Sequence, residues 1–166
     1  YKGCQACEAC KKNSEVCVLK DGLSSVLVDI QESDIVILAT PVYWGEVSSQ
    51  MKGFIDRMYS YLTPGFMSEE VKHRLAPGKK LVFIQTQGYS LEDKFDDIFP
   101  RYNSFFEQLR LFDKTYYLRT CGVNRRGEVG ERKDVLQMVK QTAAALLNDD
   151  NKGLYKYGGE DERKPA

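Results

Sequence analysis

Apolar positions along this chain alternate between two periodicities, and the alternation predicts its elements. Leu23, Val26, Leu27 and Ile30 recur at helical spacing between Leu23 and Ser33, just after an Asp21-Gly22 turn. The next segment, Asp34 to Thr40, reads DIVILAT and is a nearly continuous run of branched residues. Such a run predicts a strand covered on both faces, as in a parallel sheet. Pro41 to Gly45 reads as a loop. Ser48 and Ser49 can then cap a helix whose Met51, Ile55, Met58 and Leu62 share one face.

This strand, loop and helix unit recurs. Thr63 to Lys80 carries two prolines and two glycines and reads as an excursion, after which Leu81 to Gln87 gives a second strand and Gly88 to Ser90 a second loop. Leu91 to Leu111 is helical by pattern, with Pro100 predicted to kink or divide it. Thr115 to Cys121 is a third apolar run. Gly122 to Gly127 turns the chain, and Glu128 to Leu147 closes the domain as a helix with Val135, Val139, Thr142 and Leu146 on one side. Residues 148–166 form a charged tail with little to bury, so the folded domain is expected over 1–147. Strands separated by helices imply right-handed crossovers in a doubly wound α/β sheet, with ligands outside the carboxyl ends of the strands. The loops after Thr40 and Gln85 occupy such ends.

Composition narrows the function. A chain of 166 residues, 42% of them hydrophobic, supports one core. Its 24 basic and 24 acidic residues cancel, which argues against nucleic acid or an anionic membrane surface as partner. No apolar run reaches bilayer length and the start is unlike a signal peptide, so a cytoplasmic location is expected. In a reducing compartment the five cysteines should be thiols or ligands. Cys121 reads as a buried strand-end residue, and the single histidine, His73, as a surface residue without partners for a triad.

The remaining cysteines carry the chemistry. Cys4, Cys7, Cys10 and Cys17 follow the spacing C-x2-C-x2-C-x6-C. Thiolates in so short a segment can close around one compact centre, and the two-residue gaps favour an iron-sulfur centre over zinc, whose ligand pairs are usually joined by a longer loop. Reduced or redox-active thiols remain open as a third reading. A second signal follows the first strand: Thr40, Pro41, Val42, Tyr43, Trp44 and Gly45 place a rigid proline, two aromatics and a glycine where a flat heteroaromatic ring can lie against backbone amides. Gln85 to Ser90, including Thr86, Gln87 and Gly88, holds the same position after the next strand, with amides and a hydroxyl that can match carbonyl and imide groups. Taken alone, each loop reads equally as a packed turn or a helix cap.

At residues 40–57 the run TPVYWGEVSSQMKGFIDR resembles the signature of flavodoxin-like NADPH-dependent FMN reductases, and the preceding GCQACEACKKNSEVCVLKDGL resembles the compact cysteine motif of their iron-sulfur flavoprotein branch. The likeness covers residues 3–147. It implies a flavodoxin-like doubly wound sheet with helices on both faces, with FMN held by Pro41 to Gly45 and Thr86 to Gly88, and a four-iron (4Fe-4S) cluster held by the four cysteines of the motif. It further implies a ferredoxin or NAD(P)H donor, a small acceptor such as oxygen, peroxide or a quinone, and a homodimer or homotetramer. Members of the family begin with a strand and a phosphate-binding loop at a helix N-terminus. Nothing here matches them, so the sequence is expected to lack that amino-terminal part and to bind FMN weakly without it. Three other readings stay open: a cluster-free NAD(P)H-dependent FMN or quinone reductase, a non-enzymatic flavodoxin-type electron carrier, and a structural zinc protein without flavin.

Overall fold

Val36, Leu38 and Thr40 are buried while Ile35, Ile37 and Ala39 face the other way, and this period of two makes β1 (Ile35–Tyr43). The computed structural model describes residues 1–148, and the notional tail lies almost wholly outside them. β1 belongs to a sheet with β2 (Glu46–Val47), β3 (Lys80–Thr86) and β4 (Lys114–Thr120), in the order β2-β1-β3-β4. β1, β3 and β4 run parallel, with Thr40 beside Gln85 and Gln85 beside Arg119. Their carboxyl ends are therefore flush. β2 pairs antiparallel with only Val42 and Tyr43.

Five helices complete the described chain: α1 (Ala9–Lys12), α2 (Leu23–Glu32), α3 (Ser49–Arg57), α4 (Ile98–Gln108) and α5 (Lys133–Leu147). Leu23, Leu27 and Ile30 of α2, Phe54 of α3 and Phe99 and Phe106 of α4 join Val36, Leu38, Leu81, Phe83 and Tyr117 in the main core. Aromatic packing centres on Phe99 and Tyr117, whose rings stack 4.4 Å apart. On the opposite face α5 brings Met138, Ala145 and Leu146 onto Val82, Tyr116 and Leu118. Helices thus cover both faces, as a doubly wound sheet requires.

Several elements differ from the sequence expectation, among them the split of the last helix into a 3-10 turn (Glu128–Glu131) and α5. β1 continues past Thr40 to Tyr43 and turns through Trp44 and Gly45, both with positive φ (53° and 77°), into β2. This is the backbone of a two-residue hairpin turn, and Gly45 suits its left-handed position. Pro100 does not divide α4, because the helix starts only at Ile98 and the proline falls in its first turn, where a missing N–H leaves no bond unmade. The long run of α4 aromatics is spent mainly in the core, with Phe105 left exposed. Finally, among the described residues β1 is covered on one face only: α5 lies over β3 and β4, and Ile37 is 61% exposed. The outer edge of β1 from Ile35 to Thr40 has no strand partner among the described residues, and an apolar groove of about 540 Å³ runs along it between α2 and α3.

Candidate functional site

The amino-terminal segment is laid along α3. Tyr1 donates its hydroxyl to the Gln50 carbonyl at 2.7 Å, and Gly3 passes Gly53 such that a Cβ on Gly53 would sit 3.6 Å from the Gly3 Cα. A Cβ at that distance makes an ordinary van der Waals contact, so the two backbones lie side by side without a glycine being required. The chain then bends at Ala6 and Glu8, both left-handed with φ of 51° and 55°. Non-glycine residues adopt that conformation only where their surroundings hold it. The two bends bracket Cys7 and precede the turn of α1, which carries Cys10.

Cys4, Cys7, Cys10 and Cys17 come to line one small pocket together with Arg57, Tyr59 and Ser60. Cys10 is buried, Cys17 half-buried, and Cys4 and Cys7 are exposed. The free space is about 20 Å³, so a group larger than a single ion requires the exposed Cys4 and Cys7 to move outward. Among the described residues no three His, Cys, Asp or Glu side chains are gathered closely enough to hold one metal ion. The sulfurs nevertheless share a pocket, which is the coarse requirement for a multi-iron group.

Charges of both signs border this pocket: Arg57 and Glu8 line it, and Lys11 and Arg74 lie behind Cys10. Lys11 Nζ lies 3.6 Å from the Cys10 sulfur, donates to the carbonyls of Tyr59 and Leu62, and sits 4.0 Å above the Tyr59 ring. Burial lowers its pKa from the ordinary lysine value, with the Cys10 thiol acting the other way. Arg74 donates to the Cys10 carbonyl at 3.2 Å and to Ser60 and Leu62. Arg57, whose side chain is fully buried, grips both Asp21 oxygens at 2.9 and 2.7 Å and reaches the carbonyls of Lys2 and Leu19 at 3.3 Å. The Arg57 guanidinium holds the Asp21 carboxyl at about 2, well below the usual 3.8. Arg57 Nε is also buried and has no hydrogen-bond partner. Positive charge and buried donors around four sulfurs fit a thiolate-bound centre, whose net charge is negative.

The second locus lies at the carboxyl ends of the strands. Thr40 is buried and rigidifies its loop: its Oγ1 accepts the Ser48 amide at 3.0 Å and donates to the Pro41 carbonyl at 2.9 Å. Ser48 in turn caps α3 by accepting the Met51 amide. Pro41, Val42 and Gly45 are half-buried, Tyr43 is 62% exposed and Trp44 stands entirely in solvent. Glu46 fastens this turn to α4 through Arg101 at 3.0 Å and the Tyr102 hydroxyl at 3.2 Å. Burial and the Glu46 charge push the Tyr102 hydroxyl up to about 12.

Pro41 pairs with Thr86 across the sheet, which brings the two predicted loops side by side. Thr86 is half-buried and Gly88 exposed. Gln85 and Gln87 are turned inward instead. Gln85 accepts from the Tyr117 hydroxyl at 2.8 Å and donates to the Phe95 carbonyl, while Gln87 donates to the carbonyls of Tyr89, Leu91 and Lys94 and accepts from Arg119. Their amides hold the 88–95 loop in shape, so this loop offers a ligand its backbone at Gly88 and not the glutamine side chains. Asn124, from the loop after β4, meets Gly88 at the same end.

Sequence reasoning found both loops and the cysteines but missed Lys11, Asp21, Arg57, Arg74 and Arg119. Arg57 closes the FIDR run that had been noticed for its resemblance, and Asp21 opens the turn before α2. α3 links the two loci: its first residue, Ser49, follows the aromatic turn, and its last, Arg57, lines the cysteine pocket. Nine residues at 1.5 Å each put them about 12 Å apart.

Comparison with known proteins agrees with this architecture. Stretches of the chain are similar to iron-sulfur flavoproteins: 47% identical over 58 residues to one from Archaeoglobus fulgidus (35% of this chain, 26% of that protein), 39% over 59 residues to one from Methanocaldococcus jannaschii (36% and 30%), and 35% over 54 residues to one from Methanosarcina thermophila (32% and 28%). The matched stretch spans about a quarter to a third of each relative. A family profile describing a flavodoxin-like fold matches residues 20–141, and with the parallel sheet, the crossover helices and the flush carboxyl-end loops already in place, the chain belongs to the flavodoxin-like fold family.

Proposed function

We propose that this chain is part of a flavin-dependent oxidoreductase in which Cys4, Cys7, Cys10 and Cys17 hold a four-iron cluster and the loops Thr40 to Gly45 and Thr86 to Gly88 hold the ring of FMN. The observation that carries the reading is the sharing of one pocket by all four cysteines, at the far end of the helix that follows the aromatic turn. When bound, FMN supplies exchange between two-electron and one-electron chemistry, and the cluster supplies single-electron transfer. The chain's own residues position and tune. Thr40 fixes the Pro41 backbone, Pro41 and Val42 offer an apolar edge, and Gly88 permits close approach. Lys11 and Arg74 anchor Cys10, and Arg57 anchors the segment on either side of the ligands. No side chain is assigned as acid or base. A reduced nicotinamide or a ferredoxin is the proposed donor, and a small molecule the acceptor.

Anaerobic reconstitution with ferrous iron and sulfide, followed by an absorption spectrum and an iron count, tests the reading. About four irons per chain with a broad visible band are expected. Four free thiols with no iron and no band would sink it. A second reading, a cluster-free NAD(P)H-dependent FMN or quinone reductase, rests on the exposure of Cys4 and Cys7. Steady NAD(P)H oxidation by iron-free protein supplied with FMN would select it.

A further inference from the structure

We propose that Arg57 is a positioning residue of the cysteine site, donating its Nε hydrogen to the sulfur of Cys17 once that sulfur is a metal-bound thiolate. The inference rests on the cluster reading above. Every other part of the guanidinium is employed: Nη1 on both Asp21 oxygens and the Lys2 carbonyl, Nη2 on the Leu19 carbonyl. Nε alone is buried without a partner. A buried, charged donor left unmade forfeits its hydration without recompense, so it calls for an acceptor.

The pocket supplies one. Arg57 and Cys17 line it together with the other three cysteines, and the Cys17 sulfur acts electrostatically on the guanidinium. Arg57 already meets the Cys17 thiol through charge and a weak side-chain hydrogen bond that falls short of ordinary geometry at Nε; a thiolate is charged and accepts more strongly. Asp21, gripped by Nη1 at 2.7 Å, prevents the guanidinium from rotating away. Hydrogen bonds to ligand sulfur stabilise the more negative, reduced state of an iron-sulfur centre. Lysine could keep the charge and the Asp21 pair but has no donor at the Nε position. Arg57→Lys therefore separates the sulfur contact from the anchoring of the segment.

The test uses the full chain reconstituted anaerobically with iron and sulfide. Iron is counted in wild type and R57K, and each is titrated potentiometrically with dithionite while the reduced centre is followed by electron paramagnetic resonance. R57K is expected to hold the same iron but to be harder to reduce, its reduced-to-oxidised ratio at a fixed solution potential falling about tenfold. Wild type carrying 15N at arginine Nε is expected to show a nitrogen coupling to the reduced centre in pulsed spectra. Equal potentials at full iron, with no such coupling, overturn the inference and leave the cluster reading standing. Iron-free wild type overturns both. Should R57K fail to fold or load, the labelled wild type decides: a coupling supports the contact and its absence removes it.

Discussion

Asp21 ties together three parts of the molecule that are distant in sequence: it accepts the Lys2 amide at 3.1 Å, caps the Leu23 amide at 3.0 Å and pairs with Arg57. Its carboxyl, held at about 2 by the Arg57 hydrogen bonds, binds fewer protons folded than unfolded, where 3.8 applies. The contribution to stability is therefore complete above 3.8 and is lost as pH falls through 2. Pepsin should cut the 1–20 segment progressively faster below that upper bound, and Asp21→Asn should remove the step; digestion unaffected by pH or by the substitution would contradict this. Gly45 gives a second residue-scale outcome. Its φ is +77° and a Cβ there would lie 3.3 Å from the Phe95 ring, so Gly45→Ala should cost about 1–2 kcal/mol in urea unfolding. The grouping of the four cysteines and the turn at Trp44 and Gly45 were legible because they are local, written in spacing and residue type. The Arg57–Asp21 pair was not, since its partners are 36 residues apart and neither carries a pattern. Gln87 misled for a related reason: an amide after a strand reads the same whether it faces a ligand or caps its own loop.

Among the elements, the three parallel strands and α2 were legible to within a few residues because apolar runs and helical spacing belong to the segment itself. The start of α4 was not. Leu91 and Phe95 fall at helical spacing, yet the carbonyls of Leu91, Glu92, Lys94 and Phe95 are drawn to Gln87, Arg119 and Gln85, which spends them outside a helix. Pro100 then sits where its ring obstructs nothing. Pro100→Ala should change stability by less than about 1 kcal/mol, whereas a proline inside a helix would release about 3 on removal. Urea midpoints of the two proteins distinguish these values. The closing helix shows a similar limit: Glu128–Glu131 forms a short 3-10 turn, and Arg132, tied to Asp134 and to the Cys121 carbonyl, separates it from α5.

At the scale of the whole molecule, the continuous apolar run of β1 states that the strand should be covered on both faces, and the described chain covers it on one. Sequence cannot say which segment supplies a cover, because hydrophobicity marks burial without naming the partner. Ile35, Ile37 and Ala39 stand exposed beside an unpaired row of backbone groups, with the groove between α2 and α3 open next to them. An exposed, apolar strand edge is a template for another strand, and the chain has zero net charge to oppose association. For these 166 residues taken by themselves, association through the open β1 edge is the expected consequence, and a further segment paired with that edge would suppress it. Ile37→Lys tests it with little risk to the core, since Ile37 is 61% exposed and lies outside the buried cluster. Sedimentation velocity at tens of micromolar should show wild type as an oligomer and I37K shifted toward the monomer, with unchanged circular dichroism. A charged side chain on that face desolvates poorly against an incoming strand, so a shift of several-fold in the dissociation constant is expected. A monomeric wild type would overturn the prediction, and an oligomer indifferent to the lysine would place the association elsewhere; Phe105, 61% exposed on α4, is then the next surface to charge.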